Sequence, residues 1–171
     1  QKLEDIIPFL YEEGKTPLII VLDGITDVRN FGAVARTCEV AGVDAIVIPE
    51  RGSVSVNADA VKTSAGALHT IPVCRERSLK GAVQFLKDSG VKVVAATEKA
   101  ADNYTVSDLS VPVAIVMGSE DLGVSNEILR ICDHLVKIPQ FGTIQSLNVS
   151  VACGVMIYEA VRQREKLKIR S

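Results

Sequence analysis

Tryptophan is missing from this chain of 171 residues, and aromatic residues make up only 4% of it. A sizeable interior therefore has to be built from Val, Ile, Leu and Ala, the usual filling of buried parallel strands. The composition, 47% apolar and 23% charged, fits one globular domain and excludes a disordered or fibrous chain. Neither sign of charge dominates. Nineteen basic residues face 21 acidic ones and leave a formal net charge of −2, so no bulk positive field draws the chain onto polyanions and any nucleic-acid contact is local. No apolar run reaches the roughly 18–20 residues of a membrane span, and the start lacks the basic, apolar, small-residue order of a signal peptide. The reading is a cytoplasmic protein with no membrane partner. Four cysteines, Cys38, Cys74, Cys132 and Cys153, form no Cys-x-x-Cys pair and lie in apolar stretches. They read as reduced core residues, with no metal and no disulfide expected. The chain opens on Gln1 in place of Met, which is compatible with a piece of a longer protein.

Short apolar runs at Leu18–Leu22, Ala45–Pro49, Ile71–Cys74, Lys92–Thr97, Val113–Met117 and Leu135–Ile138 have the length and β-branched content of buried strands. Helical spacing lies between them over 30–42, 57–66, 78–89 and near 125–132. Asn30, Asn57 and Ser78 are the expected N-caps, and Gly42 and Gly90 the expected stops. This alternation predicts an α/β fold with a mostly parallel sheet flanked by helices. A last helix over 146–168 is apolar on nearly every side from Leu147 to Val161, which predicts burial, and charged from Arg162 to Lys168, which predicts solvation. Residues 1–16 read as an N-terminal tether or linker, and 17–171 as the domain proper.

No G-x-G-x-x-G follows the first strand, and there is no Walker loop, H-E-x-x-H or G-x-S-x-G. His69 and His134 have no evident acidic or nucleophilic partner and read as turn or surface residues. Polar and glycine-rich loops do follow three strands, and ligands of open α/β sheets bind at the carboxyl ends of strands. The first loop, Asp27–Thr37, holds Asn30 and Arg36; by itself it is a cap and a solvated arginine. The second, Met117–Glu127, has glycines bracketing Glu120 and Asp121 and is by itself a turn, with Ser125 capping a helix. The third, Ile138–Ala152, places Ser146, Asn148 and Ser150 at a helix start in apolar surroundings. That arrangement is either a capped buried helix or a group of hydroxyl, amide and backbone N–H groups offered to a ligand.

In this order, N-x-G-A-x-x-R-T, V-M-G-S-E-x-x-G and I-P-x-x-G-x-x-x-S-L-N-V-S-V-A resemble the three signature motifs of the SpoU (TrmH-like) RNA 2′-O-ribose methyltransferases, over about residues 17–165. The resemblance implies an α/β fold with a deep C-terminal trefoil knot, a rare exception to unthreaded chains. It also implies S-adenosylmethionine as cofactor, RNA as substrate and a homodimer that meets through the knot region. By position in the motifs, Gly118, Ile138, Leu147 and Thr97 line the cofactor pocket. Glycine at 118 is expected to let the backbone approach the adenine or ribose.

The resemblance further implies that Arg36 is the catalytic position of the first motif, with Asn30, Glu120, Ser146 and Asn148 matching the other polar positions of the family. A guanidinium stays protonated, so Arg36 is expected to grip the neighbouring phosphate and stabilise the developing oxyanion, leaving the proton to phosphate or water. Asn30 and Asn148 then position the ribose or Arg36. Glu120 orients a basic partner or its own loop, and Ser146 contacts phosphate or Arg36. Gln140 stands where the family often has Met, which is expected to affect the side-chain fit near the knot.

Arg51-Gly52-Ser53, Asn57 and the run Lys62–Ala67 resemble the branch that methylates a guanosine of 23S rRNA. The transfer-RNA D-loop branch and a non-catalytic RNA-binding knot protein are the alternatives. Enzymes of the ribosomal branch usually carry a small N-terminal RNA-binding domain. No room for one precedes the first strand, so a catalytic-domain fragment is expected. Candidate phosphate contacts are Arg29, Arg51, Lys62, Arg75, Arg77, Arg162, Arg164, Lys166, Lys168 and Arg170, each of which by itself is an ordinary solvated cation.

Overall fold

The computed structural model describes residues 1–51, 66–67, 70–144 and 146–170. Apart from Gly66, the helix expected over 57–66, with Asn57 and Lys62, lies outside the described residues, as does His69. In chain order the elements are α1 (Leu3–Glu12), β1 (Leu18–Asp23), α2 (Val28–Ala41), β2 (Ala45–Pro49), β3 (Val73–Glu76), α3 (Leu79–Asp88), β4 (Lys92–Ala96), β5 (Asp102–Asn103), a 3₁₀ turn (Tyr104–Val106), β6 (Val113–Gly118), α4 (Asn126–Leu129), β7 (His134–Lys137) and α5 (Val149–Arg170). The strands form one seven-stranded sheet in the order β3-β2-β1-β6-β4-β7-β5. Every pair is parallel.

Both faces of the sheet are covered, which is why the strands are apolar throughout rather than alternating with polar residues. Leu18, Ile20 and Leu22 of β1 point into a core closed by Phe31, Val34, Ala35 and Cys38 of α2 and Cys153, Met156 and Ile157 of α5. Ile19 and Val21 point the other way, against Leu3, Ile7 and Leu10 of α1 and Val83 and Leu86 of α3. Each aliphatic side chain so buried contributes about 1.5–3 kcal/mol. Within the segment read as a tether, α1 thus docks on the sheet through residues spaced three and four apart.

Several boundaries differ from the sequence reading for identifiable reasons. Helix α2 starts earlier than residue 30, because the Asp27 carboxylate accepts from the N–H groups of Arg29 (2.8 Å) and Asn30 (3.0 Å). A carboxylate at this end satisfies free donors and suits the helix dipole, so Asp27, not Asn30, is the cap. Helix α5 begins at Val149 rather than 146, since Asn148 Oδ1 accepts from the Ser150 N–H at 2.9 Å. Strand β3 runs from Val73 instead of Ile71: Pro72 offers only its carbonyl, taken by the Ile46 N–H, and the pairing then continues to Glu76. Ser78 and Gly42 act as expected, whereas Ser125 precedes α4 with no side-chain cap bond. Ser78 Oγ accepts from the Gly81 N–H, and Gly42 ends α2 with φ of 81°.

The apolar half of α5 is buried on one side only; Val151 and Tyr158 are about half exposed, as is Leu147 just before the helix. Its charged half is not uniformly solvated either. Arg164 lies across the sheet's lower end and donates to the carbonyls of Thr16, Pro17, Leu109 and Val111. His134 is also not a free surface residue. It sits half-buried in β7, Nδ1 2.9 Å from Ser107 Oγ and Nε2 2.8 Å from Asp102 Oδ2, because the short β5 pairs beside it. All four cysteines are free thiols, and burial pushes Cys74 and Cys132 up to about 11 and Cys153 to about 12. Among the described residues no helix is long and apolar enough to cross a membrane, and no cluster of His, Cys, Asp and Glu is fit to hold a metal.

Candidate functional site

A wholly parallel sheet brings the carboxyl ends of all its strands to one edge, so the loops after β1, β4, β6 and β7 meet there although they are distant in sequence. Between the last three lies a cavity lined by Ala96 to Lys99 after β4, Met117 to Val124 after β6, and Ile138, Gln140, Ser146, Leu147, Val149 and Ala152 around the β7–α5 connection. Thr97, Gly118, Ile138 and Leu147, the four expected cofactor positions, are all in this lining.

The loop after β6 folds tightly back on the strand it leaves. Ser119 Oγ accepts from the Leu122 N–H, the Ser119 carbonyl accepts from the Gly123 N–H, and Val124 is buried. A Cβ at position 118 would run into the Gly123 carbonyl group and the Val124 nitrogen. Glycine is therefore required there by the loop's own return, a different reason from an approaching ligand. Asp23 ends β1 alongside Gly118, and its carboxylate accepts from the Ser125 N–H at 2.8 Å, fixing the far end of the same loop.

Two of the expected polar residues anchor the start of α5. Glu120 Oε1 accepts from the Val149 N–H at 3.1 Å, and Asn148 Nδ2 donates to Asn30 Oδ1 at 3.2 Å. Glu120 thus serves a helix N–H, an arrangement the helix dipole favours, and among the described residues it has no basic partner. Ser146 is exposed at the cavity wall. Arg36 is not brought to the cavity. It lies exposed on the outer side of α2, and among the described residues its guanidinium has no hydrogen bond or ion pair.

The sequence reading missed Glu98, Lys99, Ser119, Asp121 and Gln140 as lining residues. Ser119 and Asp121 lie in the glycine-bracketed loop already singled out; for Glu98, Lys99 and Gln140 the signal was position, shortly after a strand that ends at this edge. They settle what the cavity suits. Glu98, Glu120 and Asp121 set three carboxylates against the one ammonium of Lys99, while Met117, Val124, Ile138, Leu147 and Ala152 supply apolar wall. S-adenosylmethionine, with a sulfonium, an ammonium and a flat adenine, fits such a lining.

The family model described as the SpoU rRNA Methylase family matches residues 17–158. The protein named 23S rRNA (guanosine-2′-O-)-methyltransferase RlmB of Photorhabdus laumondii is 40% identical over 164 residues, 96% of this chain and 67% of that one. Among solved structures, an AdoMet-bound rRNA methyltransferase from Sinorhizobium meliloti is similar with a TM-score of 0.84 and 30% identity, covering 95% of this chain and 60% of that one. A TrmH/SpoU tRNA modifying enzyme from A. aeolicus gives a TM-score of 0.81 and 30% identity over 97% of this chain and 86% of that one. The chain spans about two thirds of the length of the curated relatives it matches. With the three motifs in family order, the second and third on segments that meet at the cavity, and the family model covering most of its length, the chain belongs to the SpoU rRNA Methylase family.

Proposed function

We propose that residues 17–171 are the catalytic domain of a methyltransferase that uses S-adenosylmethionine to methylate the ribose 2′-hydroxyl of a guanosine in 23S rRNA. The observation that carries this reading is the convergence of Thr97, Gly118, Ile138 and Leu147 on one acid-rich, partly apolar cavity. The 23S rRNA guanosine assignment draws on the name of the Photorhabdus relative. With a ribosomal substrate goes a cytoplasmic site of action.

Bound S-adenosylmethionine supplies an electrophilic methyl group on sulfur. The residues of this chain supply position and charge. Glu98, Glu120 and Asp121 favour a cationic ligand, and the closed loop from Ser119 to Val124 shapes one wall. The Asn30–Asn148 pair and Ser146 stand where α2, the cavity and the start of α5 meet. Arg36, always charged and without a partner among the described residues, holds the phosphate beside the target ribose and stabilises negative charge growing on the 2′-oxygen. The proton leaves to phosphate or water.

Arg36 faces away from its own cavity, and this fits a homodimer in which it serves the partner's cofactor. Leu147 just before α5 and Val151 and Tyr158 in its first half, 43–52% exposed, together with Phe141 and Ile144 at 94% and 84%, are the apolar surface such a dimer covers. The trefoil knot belongs to the same proposal. It is supported by the family match and by Ile138, Gln140, Ser146 and Leu147 of the β7–α5 connection lining the cavity, with α5 then packing on α2.

The test is transfer of labelled methyl groups from S-adenosylmethionine to unmodified 23S rRNA and to unmodified transfer RNA, with Arg36→Ala as control. Label confined to 23S rRNA and lost in the variant is expected. Label on transfer RNA moves the chain to the D-loop guanosine enzymes. Silence on both overturns the reading in favour of a non-catalytic RNA-binding knot protein.

A further inference from the structure

We propose that Arg29 is a second anchor for the RNA strand, holding a backbone phosphate one or two nucleotides from the phosphate gripped by Arg36. This rests on the RNA-methyltransferase reading above. Arg29 and Arg36 are seven residues apart in one uninterrupted helix, Val28–Ala41. Seven residues are nearly two full turns, so the two side chains leave the same face with their Cα atoms about 10 Å apart along the axis. Both are exposed, and that face is the outer one, because Phe31, Val34, Ala35 and Cys38 turn inward.

Several of the other candidate cations are engaged or lie elsewhere. Arg162 is bound to Glu159, Arg164 is spent on four main-chain carbonyls, Lys168 pairs with Glu165, and Arg77 lies 4.0 Å from Glu50. Arg51 and Arg75 are exposed but belong to the β2–β3 side of the sheet. Of all these, Arg29 alone shares an element with Arg36. Its position is also unfavourable for the isolated helix. The first turn of a helix disfavours a cation, and Arg29 accepts this position with no ion pair among the described residues. The Asp27 carboxylate beside it is engaged by main-chain N–H groups instead. A local cost without a local partner is what a binding contact leaves behind when its ligand is absent. A phosphodiester satisfies the guanidinium fork with two parallel N–H···O bonds, and two arginines on one helix face read a strand as a line of evenly spaced charges.

The experiment measures steady-state methyl transfer to unmodified 23S rRNA at several salt concentrations, for wild type, Arg29→Gln and Arg29→Lys. Arg29→Gln is expected to raise KM for RNA about 3–10-fold, with kcat and KM for S-adenosylmethionine within about twofold of wild type. The dependence of log(1/KM) on log salt should become shallower by about one phosphate contact. Arg29→Lys keeps the charge and recovers most of the loss. An Arg29→Gln variant with unchanged RNA KM and salt slope overturns the anchor while leaving the methyltransferase reading intact. A wild type that binds no RNA and transfers no methyl overturns that reading and the anchor with it.

Discussion

Asn148 Nδ2 donates to Asn30 Oδ1 across 3.2 Å, joining residues 118 positions apart, while Asn148 Oδ1 caps α5 through the Ser150 N–H. One side chain therefore fixes the start of α5 and ties it to α2, the helix of Arg36. Asn148→Ala loses both bonds and should lower stability by about 1–2 kcal/mol, the usual range for a lost N-cap. Asn148→Asp keeps the capping oxygen and loses only the donor, so it should cost less than half as much. Both should slow methyl transfer at least about tenfold if the pair positions substrate. Urea unfolding midpoints separate the two variants, and equal losses would contradict the division of roles.

Gly118→Ala asks the loop after β6 to make room for a methyl group against the Gly123 carbonyl group and the Val124 nitrogen. The neighbours are backbone, so the loop has to lift. A loss of about 1–3 kcal/mol is expected, together with weakened S-adenosylmethionine binding, since residues 117–124 form a cavity wall. Thermal unfolding and calorimetric titration measure the two effects. A variant that matches wild type in both would show that the loop is not closed as described.

Glu120 offers a graded series. Glu120→Gln keeps an oxygen for the Val149 N–H and removes the charge that favours a helix N-terminus. Glu120→Ala removes both. Stability should fall by about 0.3–1 kcal/mol in the first and by more in the second. Cofactor affinity should follow the same order, because the carboxylate also lines the cavity. An unchanged dissociation constant in Glu120→Ala would remove the acid from the binding account.

Glu159 gives a pH signature. Its buried carboxylate is held below its ordinary value of 4.5, first by the bond from Arg162 and further by Gln163. The unfolded chain has the ordinary value, so the carboxylate contributes its full stability above about pH 4.5 and loses it as pH falls through the lower folded value. Glu159→Gln should therefore be less stable than wild type at neutral pH, with the gap closing below about pH 4.5. Urea melts on either side of that pH measure it. A gap that stays constant into the acid range would contradict the assignment.

The sheet was legible in the sequence wherever a strand is buried on both faces. The runs at Leu18, Ala45, Lys92 and Val113 need no tertiary information to be recognised. What escaped depends on partners far along the chain. Asn30 has the chemistry of a cap, but Asp27 three residues earlier accepts from the Arg29 and Asn30 N–H groups and starts the helix, which leaves the Asn30 side chain for Asn148. Arg164 looks like a solvated charge until Thr16, Pro17, Leu109 and Val111 are seen to present their carbonyls to it. His134 found its partners through a two-residue strand too short to leave a pattern. At the site, motif order brought out Gly118 and Glu120. Glu98 carries no motif and became visible only when the loops converged.

The most direct test of the central claim is nucleoside mass spectrometry of unmodified 23S rRNA after incubation with the protein and S-adenosylmethionine. The account predicts 2′-O-methylguanosine in wild-type reactions and none with Arg36→Ala. Methyl groups on a base, on another nucleoside, or at the wild-type level with Arg36→Ala would contradict it.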